Sequence, residues 1–144
     1  MTLTEKRQLK YPDTDTFHYY NANPKNKLTG DCWLRAVCTG LDQDYNQTLR
    51  EMVEVHLKTG YELSSNEAMA KYLATKGWVK MKQPKRPDGT KYTGREFCEE
   101  LAKPGVRYIC NVGGHHMAAI VDRKVNDIWN STYKTIGNYY VKER

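Results

Sequence analysis

Apolar positions recur at helical spacing up to about residue 102 and alternate with polar ones after it. Residues 1 to about 16 are polar and read as an irregular arm lying on the surface. Phe17-His18-Tyr19-Tyr20 then offers a short aromatic strand or an anchor for that arm, and Asn23-Pro24 marks a turn. Trp33, Leu34, Ala36, Val37 and Leu41 are apolar almost all round, which predicts a buried helix from Cys32 to about Gly40. Gly30 would make the sharp turn before it. Asp31 would be its N-cap, the carboxylate accepting a free backbone N–H. Asn46 is placed to cap a second helix with Leu49, Met52, Val53 and Leu57 on one stripe and Gly60 as its stop. Ser64 or Ser65 would cap a third, with Ala68, Met69, Tyr72 and Leu73 inward and Gly77 as its end. Residues 78–81 read as a short strand and 83–92 as a loop, from its prolines and glycine.

Thr93-Gly94-Arg95-Glu96 has the form of a capping box and opens a fourth helix over about 94–102, with Phe97 and Leu101 inward. Beyond Lys103-Pro104-Gly105 the period changes to two. Strands are expected over 106–112, 116–121, 125–129 and 139–141, with turns at Gly113-Gly114 and Asp122-Arg123. Helices first and an antiparallel meander second is the α+β pattern. No internal repeat is visible, and 144 residues suit one domain with one modest core.

Composition narrows the function classes. No apolar run approaches the length of a membrane span. The first residues lack the apolar core of a secretory signal, so a cytoplasmic chain with reduced thiols is expected. The four cysteines, at 32, 38, 98 and 110, show neither a CxxC pair nor zinc spacing, and no cofactor is expected. The net charge of +6 is too mild to argue for nucleic acid. The basic cluster Lys80, Lys82, Lys85, Arg86 and Lys91 carries no stacking-aromatic pattern and reads as a solvated loop, so no nucleic-acid partner is expected.

The chemistry gathers at Cys32. A thiol in the first turn of a buried helix feels the positive end of the helix dipole, which favours the thiolate, and it is held rigidly. Such a nucleophile needs a base, and the base needs a third group that orients it. Of the four histidines, His18 lies in the arm and His56 among the charges of a helix. His115 and His116 open a strand just after two glycines. Alternation puts His116, Ala118 and Ile120 on one face and His115, Met117 and Ala119 on the other. A hairpin at residues 122–124 brings Asp127 into the neighbourhood of Ala118 and His116, so an acid can reach a histidine across adjacent strands.

Gly30-Asp31-Cys32-Trp33, a distant Gly-Gly-His-His strand and then Asp127-Ile128-Trp129 resemble the papain-like cysteine peptidase superfamily in order and spacing, over residues 26 to about 131. The resemblance extends to small bacterial or phage-type members, including bacteriocin-processing peptidases. It implies a papain-like α+β fold in which the nucleophile helix packs on the C-terminal sheet. It makes Cys32 the nucleophile, His116 the base, with His115 the lesser choice, and Asp127 the orienting acid, with Asn130 in reserve. Trp129 would shield the His–Asp hydrogen bond. Asn26 falls where the family places a glutamine that helps bind the oxyanion, and its side chain is one methylene shorter. Thr29 and Asp31 depart from the family pattern; a carboxylate facing the sulfur would raise the thiol pKa. The implied activity is that of a cysteine peptidase or isopeptidase, hydrolysing an amide bond in a protein or peptide substrate through an acyl-enzyme. Two alternatives keep the triad: a transglutaminase-like acyltransferase and a peptidoglycan amidase. A third is an idle papain-like module that binds a partner.

Overall fold

The computed structural model describes residues 1–143. Helix α1 (Leu3–Lys10) replaces the expected irregular arm. Thr2 caps it by accepting the Glu5 N–H at 3.1 Å, and Arg7 and Lys10 lie in its last turn against the negative end of the dipole. It buries no residue, so it does lie on the surface; with no apolar stripe, hydrophobic periodicity gave no sign of it. Strand β1 (Phe17–Tyr19) follows, with Phe17 and Tyr19 buried.

Helix α2 (Cys32–Leu41) buries Leu34, Arg35, Ala36, Val37, Cys38 and Gly40 and begins at the nucleophile candidate. Helix α3 (Tyr45–Thr59) starts two residues before the expected place, because Asp44 rather than Asn46 accepts the N–H of Gln47 at 2.9 Å. Gly60 ends it with φ of 76°. Its buried side is Thr48 and Met52, with Leu49 and Val55 packed alongside; Leu57 is exposed, so the expected stripe was rotated. Helix α4 (Asn66–Thr75) is capped by Ser65 and buries Ala68, Met69, Tyr72 and Leu73, as the pattern predicts. The capping box at Thr93 and Glu96 forms on both sides. The helix it opens makes one α-turn, α5 (Gly94–Glu96), and continues as a π-helix over Phe97–Leu101.

Strands β2 (Trp78–Met81), β3 (Arg107–Val112), β4 (His116–Val121), β5 (Lys124–Asp127) and β6 (Ile136–Lys142) join β1 in one six-stranded sheet of order β1-β5-β4-β3-β6-β2. Asp122 and Arg123 both adopt positive φ, the hairpin turn that suits the twist of β4 and β5. The expected meander order is not kept: β6 pairs with β3 instead of β5, and β2 pairs with β6 at the far edge. Three further points differ. β1 pairs with β5 in parallel, making the sheet mixed. β5 ends at Asp127, so Trp129 lies beyond it. β6 begins at Ile136, and Gly137 lets it pass the Asn111 side chain, which a Cβ there would meet at 2.8 Å. One sheet face, through Ile109 and Tyr140, packs on α2, α3 and α4. The other, through Tyr108, Cys110, Val112, Ala118, Ile120 and Val125, packs on Phe97, Cys98 and Ala102. Among the described residues no helix is long and apolar enough to cross a membrane.

Candidate active site

The first turn of α2 meets the N-terminal end of β4 and the C-terminal end of β5. Cys32 is the first residue of α2 and is half-buried. The His116 ring and the backbone N–H of Met117 are the polar neighbours that act on its thiol. The Nε2 of His116 lies 2.5 Å from Asp127 Oδ2, which leaves Nδ1 for the sulfur. Asp127 is buried, with its side chain 1% exposed, and its carboxylate is fully engaged. Oδ2 takes His116 and the Ser131 hydroxyl, at 2.8 Å; Oδ1 takes the Ile128 N–H, at 2.8 Å, and the Arg35 Nη1, at 3.3 Å. The Tyr20 N–H donates to the Asp127 carbonyl, so β1 fixes the backbone that carries the acid. Trp129 packs beside the base, its ring centroid 5.0 Å from that of His116.

These contacts set the protonation states. Burial raises the Cys32 pKa, but the hydrogen bonds from His116 and Met117 and the charges of His116 and Arg35 outweigh it, so the thiol sits below its ordinary 9.0. Burial lowers the His116 pKa, and the Asp127 and Cys32 contacts outweigh that, carrying the imidazole up to about 9. The thiol pushed down and the imidazole pushed up are shifts in the directions that favour a thiolate–imidazolium pair. The other cysteines behave oppositely. Burial lifts Cys38 to about 11, Cys98 to about 12 and Cys110 well above its ordinary value.

Asp31 is the N-cap residue, yet its side chain caps nothing. Its carboxylate turns to Arg35 Nε at 2.8 Å, the Tyr45 hydroxyl at 2.7 Å and Asn23 Nδ2 at 3.0 Å. Burial raises its pKa and these three donors outweigh it, keeping Asp31 ionised. With three donors on the side chain, the first backbone N–H groups of α2 lose their expected acceptor. Leu34 N makes the first bond back, to Asp31 O, so the Cys32 and Trp33 N–H groups open the helix ahead of it.

Cys32, His116 and Asp127 are thus brought together, whereas Asn26 is not. Asn26 is exposed, its backbone has φ of 56°, and its amide donates to Thr4 of α1. The short side chain, held on a left-handed turn and already paired, makes no hydrogen bond to Cys32. His115 is exposed, and the Asn130 amide oxygen accepts from Thr132 instead of reaching the histidine. His18 pairs with Asp13, and His56 bonds the Tyr61 carbonyl. Among the described residues no three His, Cys, Asp or Glu side chains gather as metal ligands would.

Sequence reasoning missed Arg35 and Ser131. The signal for Arg35 was present: a lone cation in an otherwise apolar helix, three residues after the thiol, needs a buried partner. Ser131 carried no such signal. Compared with protein-family models, with curated proteins and with solved structures, the chain gives no match in any of the three.

Proposed function

We propose that this chain is a cysteine hydrolase of papain-like type that cleaves amide bonds in peptide or protein substrates through an acyl-enzyme. The single observation that carries the reading is the relay from Cys32 through His116 to the buried Asp127, closed by the 2.5 Å contact between His116 and Asp127. The Cys32 thiolate attacks the carbonyl carbon and the carbonyl π electrons move onto oxygen. The backbone N–H groups of Cys32 and Trp33, at the positive end of α2, are the donors available to that oxyanion. His116 Nδ1 gives its proton to the leaving amine as the C–N bond breaks. Water then attacks the thioester while His116 takes its proton, the C–S bond breaks, and the acid leaves. Asp127 holds the ring and supports its positive charge throughout, without taking the proton.

A substrate-independent test is the burst with p-nitrophenyl acetate. One equivalent of nitrophenolate per chain, with the acetyl group on Cys32 by mass spectrometry, is expected in wild type and absent in Cys32→Ala and His116→Ala. An acetyl group found elsewhere, or an unchanged burst in Cys32→Ala, contradicts the assignment. Turnover should open with ionisation of Cys32 and close as His116 loses its proton near about 9, a bell-shaped profile.

A further inference from the structure

We infer that Arg35 is the positioning residue of this site: buried between Asp31 and Asp127, its guanidinium ties the acid that orients His116 to the helix that carries Cys32, and it cancels the charge of Asp31 next to the thiol. The inference rests on the Cys32–His116–Asp127 reading and adds to it a residue outside the relay.

Arg35 is 6% exposed. Its Nε donates to Asp31 Oδ1 at 2.8 Å and its Nη1 to Asp127 Oδ1 at 3.3 Å. Packing alone does not ask for this residue. The same helix buries Leu34, Ala36, Val37 and Cys38, and an apolar side chain of similar volume generally serves a buried position as well as an ion pair does. What the cation adds is geometry and charge. Asp127 Oδ1 is held by Arg35 from α2 and by the Ile128 N–H from its own chain. With that oxygen fixed, the carboxylate cannot swing, and Oδ2 stays on His116. Nucleophile and acid, ninety-five residues apart in the chain, are then linked through one rigid fork.

The charges make the second half of the argument. Two cations act on the thiol, His116 and Arg35, and each is paired to a carboxylate: Arg35 to Asp31, which directly precedes Cys32, and both cations to Asp127. The other groups facing Asp31 are the neutral Tyr45 hydroxyl and the Asn23 amide, and the Met117 N–H faces the sulfur from β4. With Arg35 in place, forming the thiolate and imidazolium leaves one net negative charge in the cluster. Without it the same step leaves two, and the thiol holds its proton to higher pH. A carboxylate directly before the nucleophile is therefore tolerated because Arg35 turns it away and neutralises it.

The test is the pH profile of Cys32 alkylation by iodoacetamide, read together with the downfield His116 ring N–H resonance by proton NMR. The proteins are wild type, Arg35→Met, Arg35→Lys and the double variant Arg35→Met/Asp31→Asn, each checked for folding by circular dichroism. In Arg35→Met the inflection should rise by about one unit or more, which lowers the rate near pH 6 about tenfold, and the resonance should broaden or vanish. The double variant should bring the inflection back toward wild type, since one net negative charge is restored, without restoring the resonance. Arg35→Lys should hold the inflection near wild type while failing to restore the resonance, because an ammonium does not fork between two carboxylates. If Arg35→Met does not fold, Arg35→Lys is the variant read, and a wild-type resonance in it overturns the inference. Folded Arg35→Met with wild-type inflection and resonance overturns it too. An ordinary thiol profile in wild type instead overturns the hydrolase reading on which the inference stands.

Discussion

At the scale of residues, the site is a set of buried polar groups each satisfied by another. Asp127 is the hub, with four donors on two oxygens. Asp127→Asn keeps the shape but gives His116 Nε2 a donor where it needs an acceptor, and the wrong ring tautomer follows. Acetyl-enzyme formation should fall about 10²- to 10⁴-fold, read as the burst rate; a loss under threefold would remove Asp127 from the mechanism. Ser131→Ala deletes a donor to a buried carboxylate and should cost about 1.5–3 kcal/mol of stability, measured by urea unfolding. His116 and Asp127 were legible in the sequence because strand alternation and a two-residue hairpin fix which side chains share a face, and Cys32 because it opens a helix apolar almost all round. Asn26 was misjudged because its place rests on a loop. A positive φ and the Thr4 partner on α1, both invisible to spacing, decide where that side chain goes.

At the scale of elements, local chemistry was read best where a cap or a stripe is strong. Ser65, the Thr93–Glu96 capping box and the Gly60 stop all form as expected. Thr93→Ala should cost about 1 kcal/mol and loosen the π-helix behind it, seen as faster amide exchange of Phe97–Leu101; unchanged exchange would separate the cap from the segment it opens. What the sequence hid are long-range pairings. The parallel partnership of β1 with β5 brings together Phe17 and Val125, and a three-residue aromatic run carries no sign of it. α1 has a cap but no apolar face to announce it. Gly40 is a packing requirement of the same kind. A Cβ there would stand 2.3 Å from Ile109 Cγ1, in a side chain with no exposure. The overpacking cost of Gly40→Ala, about 1–3 kcal/mol, should exceed the helix-propensity gain of about 1 kcal/mol. The midpoint of urea unfolding should therefore drop, and a rise would show that Ile109 has room to move.

At the scale of the molecule, α2 spans the two halves of the design: its first turn presents the thiol, and its body packs on the sheet that carries the base and the acid. The pKa shifts make stability depend on pH from both sides. His116 is raised from 6.5 to about 9, so its contribution is fully present below 6.5 and is lost as pH climbs through about 9. Glu51, paired with Lys76 at 2.9 Å and with the Tyr72 hydroxyl, is lowered from 4.5 to about 2, so its contribution is present above 4.5 and is lost as pH falls toward about 2. Melting temperature against pH should show a plateau between these limits. Above 9.0 the raised Cys38, Cys98 and Cys110 thiols add a loss of their own, so His116→Ala should remove the loss between 6.5 and about 9 and leave the acid side unchanged; a slope in that window unchanged by the variant would detach it from His116.

The most direct measurement is the rate of alkylation of each cysteine by iodoacetamide between roughly pH 4 and 10, in wild type and His116→Ala, with the label located by mass spectrometry. The account predicts that Cys32 alone reacts in the folded protein, since the other three thiols are buried and raised. Its inflection should lie below 9.0 and move up toward that value in His116→Ala. An inflection at the ordinary value in wild type, unmoved by the loss of His116, would contradict the ion pair and with it the proposed chemistry.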